Sequence, residues 1–177
     1  MKLIVLDRDG VINHDSDAYI KTPAEWTPIE GSLEAIARLN QSGFHVVLAT
    51  NQSGVGRGLF DMATLNLIHD KMHRALGHIG GRVDAIFYCP HKPEANCRCR
   101  KPKLGMFEDI ARRFNTNLAG VPVIGDTRRD LDAAVAVNAV PILVLTGKGE
   151  QTQNEGALPK GTRIYADLAA AVEALTE

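Results

Sequence analysis

The segment Lys2-Leu3-Ile4-Val5-Leu6-Asp7-Arg8-Asp9-Gly10 runs four apolar residues without a break into two carboxylates and a glycine. A strand with one wet face alternates apolar and polar positions. An unbroken apolar run predicts a strand covered on both faces, as in a parallel sheet. Similar runs recur at His45–Ala49, Ala85–Tyr88, Val121–Ile124 and Pro141–Leu145, and Arg163–Tyr165 is expected to add a short edge strand. Amphipathic stretches separate them. Ser32–Gln41 places Leu33, Ile36, Ala37 and Leu39 on one side, with Gly43 as a stop. Ala63–Leu76, Phe107–Phe114, Leu131–Val137 and Asp167–Leu175 repeat the pattern. Alternating strands and helices predict a doubly wound α/β fold, a mostly parallel sheet with helices on both faces. Lys148–Gly161, rich in Gly, Gln, Thr and Asn, reads as a surface loop, and a single domain is expected to fill residues 1–177.

The bulk composition narrows the functional classes. The chain is 45% hydrophobic and 23% charged, with a formal net charge of -1. That balance gives no general affinity for nucleic acid or an anionic membrane. No apolar run approaches the ~20 residues of a membrane helix, and the N-terminus is too short and too soon charged for a signal peptide. A cytoplasmic protein is expected. The three cysteines lie within eleven residues, Cys89 to Cys99. An odd number so close together is a poor disulfide framework and a better metal site.

In a doubly wound sheet, ligands bind beyond the carboxyl ends of the strands. Four strand exits carry chemistry: Asp7-Arg8-Asp9-Gly10, Thr50-Asn51-Gln52-Ser53-Gly54, Cys89-Pro90-His91 and Gly125-Asp126. If the first strand continues through Asp7 and Asp9, both carboxylates point the same way and repel unless a cation or proton lies between them. Asp126 is a third carboxylate. Few protein ligands, all hard oxygens, suit Mg²⁺, which keeps waters and works with phosphate. An Asp-Gly turn would account for one such exit but not for three on one sheet. Thr50 opens a glycine-containing loop of the kind that holds phosphate oxygens. Arg100-Lys101-Pro102 supplies cations just before a helix, a fork and a point charge respectively. Cys89-x-His91 and Cys97-x-Cys99 make a complete Cys₃His set with no position left for a catalytic water, which reads as structural zinc. His14, His45, His69, His73 and His78 receive no role; His69 and His73, four apart, are expected on a solvated helix face. Tyr19 and Trp26 either line the substrate mouth or staple the first loop.

Asp7-x-Asp9-Gly10-Val11, Thr50 after an apolar strand, Lys101, and Gly125-Asp126-x₃-Asp130 resemble, in order, the four motifs of the haloacid dehalogenase-like phosphatases. The resemblance implies a covalent mechanism. Asp7 would be the nucleophile, Asp9 the general acid and base, and Thr50 and Lys101 the holders of the transferring phosphoryl group. Mg²⁺ would rest on Asp7, the Asp9 carbonyl and Asp126, while Asp130 would orient the site. The zinc loop running into Arg100-Lys101-Pro102 resembles the branch of histidinol phosphatases and heptose-bisphosphate phosphatases. Within that branch, Thr50–Gly58 is similar to the heptose enzymes of lipopolysaccharide core synthesis. That likeness implies a small phosphorylated sugar as substrate and a monomeric enzyme. The implied substrate contacts are Asp15, Tyr19, Asn51, Gln52, Ser53, Arg57, Arg100 and Thr127, the last standing where some relatives carry Lys. Histidinol phosphatase, polynucleotide phosphatase and a silent zinc-loop module remain as alternatives. The chain between Gly10 and the helix at Ser32 is too short for a cap domain. Exclusion of water would fall to the loops at Asn13–Pro28, Ser53–Phe60 and Cys89–Cys99, the last made rigid by zinc.

Overall fold

The computed structural model describes every residue, Met1–Glu177. Six parallel strands form one sheet: β1 (Lys2–Leu6), β2 (Phe44–Asn51), β3 (Ala85–Cys89), β4 (Pro122–Gly125), β5 (Val140–Val144) and β6 (Arg163–Tyr165), in the order β3-β2-β1-β4-β5-β6. Leu6 pairs with Leu48 on one side and Ile124 on the other. The chain reverses its direction of travel across the sheet at β1, between β2 and β4, which is the switch point where a doubly wound sheet opens a crevice.

The unbroken apolar runs are explained by burial on both faces. Ile4, Leu6, Val46 and Leu48 pack into a core with residues of α1 (Ser32–Gln41), α3 (Met62–Gly77) and α7 (Leu168–Leu175). Leu3, Val5, Val47 and Ala49 point the other way, into a core shared with α4 (Gly105–Arg113) and α5 (Arg128–Ala136). Trp26 is 1% exposed and belongs to the first core; the ammonium of Lys71 on α3 donates to the carbonyls of Pro23 and Trp26. Trp26 therefore staples the first loop.

Three expectations are corrected. Lys148–Gly161 is not all loop, since Gly149–Glu155 forms a helix, α6, which follows the single turn α2 (Ser53–Gly56) and four longer helices in the chain. Its residues show no apolar period, and it is anchored by a polar contact, the Thr152 hydroxyl donating to the Asp126 carbonyl at 2.7 Å. His69 does not sit on a solvated face: it is 6% exposed and contacts Arg8 across the helix–sheet interface. Helix α5 also begins three residues earlier than the apolar pattern indicates, because Thr127 and Asp130 cap it with polar side chains.

Candidate active site

The exits of β1, β2 and β4 converge on one polar cleft. Asp7, Asp9, Asp15, Tyr19, Asn51, Gln52, Ser53, Arg57, Arg100, Lys101, Asp126, Thr127 and Asp130 all line it. Of the residues expected at the site, Thr50 alone among those of the β1, β2 and β4 exits lies beneath the wall: it is fully buried, and its hydroxyl accepts from Gln52 Nε2 at 2.9 Å. That leaves the Thr50 O–H as the group it can offer.

Asp7 sits at the end of β1, its carboxylate accepting from the Arg8 N–H at 2.8 Å. Lys101 reaches it from the loop before α4. The ammonium is 3.3 Å from Asp7 Oδ1, 2.6 Å from Asp130 Oδ1 and 2.6 Å from the Ala49 carbonyl. Burial opposes the Lys101 charge, but Asp130 and Asp7 hold the proton on and raise its pKa. The backbone of Lys101 is clamped by Asn51, whose amide takes its N–H and donates to its carbonyl. Asn51 and Gln52 thus give their amides to protein partners at the cleft wall.

Asp7, Asp126 and Asp130 bring carboxylate oxygens within 4.8 Å of one another. Burial lifts Asp7 to about 7, against the pull of Lys101 and with the push of Asp130 and Asp9. Burial, then Asp7 and Asp130, lift Asp126 to about 8. Asp126 Oδ2 accepts from the Lys148 N–H at 2.9 Å, whereas Asp126 Oδ1 is buried with no hydrogen-bond partner. A carboxylate with one anchored and one orphaned oxygen, beside a second buried carboxylate, fits a hard divalent cation. Gly10 makes room for it: at φ 83°, a Cβ there would lie 2.1 Å from Asp126 Oδ2.

The side chain of Asp9 is held differently. Oδ1 accepts from Arg8 Nε at 2.9 Å and Asn13 Nδ2 at 2.9 Å, and pairs with Arg8 Nη2 at 2.8 Å; Oδ2 accepts from Gln52 Nε2 at 3.1 Å. Burial raises its pKa, but Arg8 and the amides outweigh that and lower it.

Cys89, His91, Cys97 and Cys99 cluster with donor atoms within 4.8 Å. Cys89 Sγ is 3.6 Å from both His91 Nδ1 and Cys97 Sγ, His91 Nδ1 is 3.3 Å from Cys99 Sγ, and the Cys89 and Cys99 sulfurs are 2.8 Å apart. Four soft or borderline donors in one cluster are the set that tetrahedral zinc takes, and the Cys89 and Cys99 sulfurs would move apart to receive it. The loop docks on α2, where the Gly56 N–H donates to the Pro90 carbonyl at 2.8 Å.

Arg129, close to the position where some relatives carry Lys, and Lys148, in the stretch expected to be a surface loop, also line the cleft. The Lys148 ammonium lies 3.5 Å from Asp15 and 3.8 Å from Asp17, so the β5–α6 turn is tied to the first loop across the cleft. Thr146-Gly147-Lys148 directly after a strand was the available signal. Arg100 is pressed below its usual pKa by burial and then by Arg129 and Arg57, which places three guanidiniums near one another at the rim.

The fold and the site define a haloacid dehalogenase-like phosphatase. The family models agree: HAD-hydrolase-like over residues 98–171 and polynucleotide kinase 3 phosphatase over residues 2–128. D-glycero-beta-D-manno-heptose-1,7-bisphosphate 7-phosphatase from Bordetella bronchiseptica is 62% identical over 177 residues, covering 100% of this chain and 99% of the relative. The enzyme of that name from Pseudomonas aeruginosa is 51% identical over 99% of this chain and 98% of its own. The crystal structure of the B. bronchiseptica phosphatase, complexed with magnesium and phosphate, superposes with a TM-score of 0.97 over 99% of this chain and 98% of that one. The Burkholderia thailandensis enzyme, 51% identical, gives 0.80 over the full length of both. The chain belongs to the D-glycero-beta-D-manno-heptose-1,7-bisphosphate 7-phosphatase family of these HAD-like enzymes.

Proposed function

We propose that this chain removes the C7 phosphate of D-glycero-beta-D-manno-heptose 1,7-bisphosphate, leaving heptose 1-phosphate. The observation that carries the reading is a cleft with two separate sets of cations. Lys101 is buried on the floor beside Asp7, and Arg57, Arg100 and Arg129 stand at the rim. A bisphosphate has one anion for each set, and guanidinium forks suit the phosphate that is kept.

In the proposed chemistry, an Asp7 carboxylate oxygen attacks phosphorus and the bond from phosphorus to the C7 oxygen breaks. Asp9 gives its proton to that oxygen, which leaves as the alcohol. Asp9 then takes a proton from water, whose oxygen attacks the aspartyl-phosphate. The bond to Asp7 breaks and inorganic phosphate is released. Lys101 holds the phosphoryl oxygens throughout, and the Thr50 O–H, which lies beneath the cleft wall, would meet them through a shift of Gln52. Asp7, Asp126 and the Asp9 carbonyl would hold Mg²⁺, which when bound shields the repulsion between carboxylate and phosphate. Asp130 orients Lys101. Asp15, Tyr19, Asn51, Gln52, Ser53 and Thr127 shape the sugar pocket. Zinc on Cys89, His91, Cys97 and Cys99 would keep Arg100 and Lys101 in place. We read residues 1–177 as one domain and the protein as a monomer of the cytoplasm. No helix is long and apolar enough to cross a membrane.

An oligonucleotide substrate would need a basic track beyond the cleft, and a formal net charge of -1 gives no general excess to build one. The test is phosphate release from both anomers of the heptose bisphosphate, histidinol phosphate and a 3′-phosphorylated oligonucleotide. The highest kcat/KM is expected on the β anomer; a higher value on histidinol phosphate or the oligonucleotide overturns the substrate assignment. Asp7→Asn should abolish turnover of all four, and retained activity would remove Asp7 as nucleophile.

A further inference from the structure

Arg8 is the one charged residue near the cleft with no exposure at all, and it touches neither the cleft nor solvent. Its guanidinium is fixed at three points. Nε and Nη2 both address a single oxygen, Asp9 Oδ1, at 2.9 and 2.8 Å. Nη1 lies 3.1 Å from His69 Nε2, on α3. Nη2 also lies 3.4 Å from Gln52 Oε1.

This is not the arrangement an unrestrained pair would take. Arginine and a carboxylate favour a fork in which two N–H groups each meet a different oxygen. Here both donors crowd one oxygen, and the other end of the guanidinium meets His69. With Asn13 Nδ2 added, Asp9 Oδ1 accepts from three donors, while Oδ2 has only Gln52 Nε2. Asp9 Oδ1 is an anchor, and Oδ2 is left as the oxygen able to exchange a proton.

Arg8 Nη1 carries only hydrogens, so His69 Nε2 must accept, which requires a neutral ring with its proton on Nδ1. The surroundings agree: burial, and then the Arg8 charge, lower His69 to about 3. His69 lines a separate shallow cleft with Asn66 and Tyr88 and has no place in the active-site wall. It cannot touch substrate and can act only through Arg8.

We propose that His69 is a positioning residue for the phosphatase reaction: by holding Arg8 Nη1 it keeps the guanidinium off Asp9 Oδ2 and reserves that oxygen for proton transfer to the leaving alcohol. The proposal rests on Asp9 being the general acid. Without His69 the guanidinium is free to swing into the two-oxygen fork, which masks Oδ2 from the leaving group.

The experiment compares His69→Leu, His69→Gln and Asp9→Asn on two substrates, the heptose bisphosphate and p-nitrophenyl phosphate. An alkoxide needs a proton to depart and an acidic phenolate does not. The readout is kcat/KM, which ends at departure of the leaving group and so excludes the later hydrolysis step. His69→Leu is expected to lose about tenfold or more on the sugar phosphate, within the range of general acid catalysis, and to change little on the aryl ester. His69→Gln, whose carbonyl can accept from Arg8, should recover most of the loss. Equal losses on both substrates, no loss on either, or a Gln variant as poor as Leu would overturn the proposal. If Asp9→Asn itself shows no dependence on the leaving group, the general-acid assignment fails first and is identified as the cause. Should His69→Leu not fold, His69→Asn, polar but too short for Arg8, takes its place with the same expected outcomes.

Discussion

Replacing Lys101 with methionine separates the structural from the chemical use of one buried charge. The side chain is 3% exposed, and its three N–H groups meet three acceptors: the Ala49 carbonyl, Asp130 Oδ1 and Asp7 Oδ1. Methionine fills similar volume but leaves two buried carboxylates without their cation. Removing one partner of such a pair costs about 3–5 kcal/mol. The loss should grow as pH rises through neutrality and shrink in acid, where the orphaned carboxylates accept protons instead. Turnover should fall by about 10²–10³, the usual cost of losing one preorganised group that stabilises the transferring charge. Adding Asp130→Asn removes the second charge and keeps an oxygen for the Thr127 cap. The double variant should regain about 0.5–3 kcal/mol relative to the sum of the singles. It should regain none of the activity. Urea denaturation of chelator-treated protein measures the first quantity, and phosphate release with Mg²⁺ present measures the second. If Lys101→Met is as stable as the native chain at neutral pH, the buried ion-pair argument is wrong. If the double variant recovers turnover, the Lys101 charge serves only the fold.

Three further outcomes follow from the geometry. Mg²⁺ should raise Tm more at about pH 8 than at about pH 6. Asp7 and Asp126 lie at about 7 and about 8 in the folded protein, above their ordinary 3.8. At the lower pH the cation must displace protons that the folded carboxyls still hold; without Mg²⁺ the stability they confer is lost as pH rises through the same window. An equal Mg²⁺ effect at both values, read by thermal melts, would count against these two as its ligands. Gly10→Ala should weaken Mg²⁺ binding by more than about tenfold, or ~1.4 kcal/mol, because its Cβ displaces Asp126 Oδ2; unchanged Mg²⁺ dependence of activity would refute that crowding. Stripping metal from the Cys89–Cys99 loop should lower Tm and turnover together, since the loop carries Lys101 into the site and Asn51 clamps its backbone; verified metal loss with neither change contradicts the structural role.

The parallel sheet and the place of its polar crevice were legible in the residues alone. Unbroken apolar runs admit no wet face, and a chain that ends each run in Asp, Thr or Cys declares where the polar crevice must be. Asp7, Asp9 and Asp126 were legible as cleft residues because each lies at a strand end, and the cluster Cys89, His91, Cys97 and Cys99 because four candidate ligands fall within eleven residues. The rest depends on contacts between elements distant in the chain. His69 read as a solvated helical histidine, because nothing near it in sequence shows that Arg8, sixty-one residues earlier, is buried beneath it. Lys148 read as part of a surface loop, because α6 is held by Thr152 on the Asp126 carbonyl and not by an apolar face. Thr50 proved to lie under the cleft wall, its hydroxyl bound by Gln52. Hydrophobic periodicity reports burial against a core; it carries no record of a polar side chain buried against another polar side chain, and the positioning of Asp9 and Asp126 is made of such contacts.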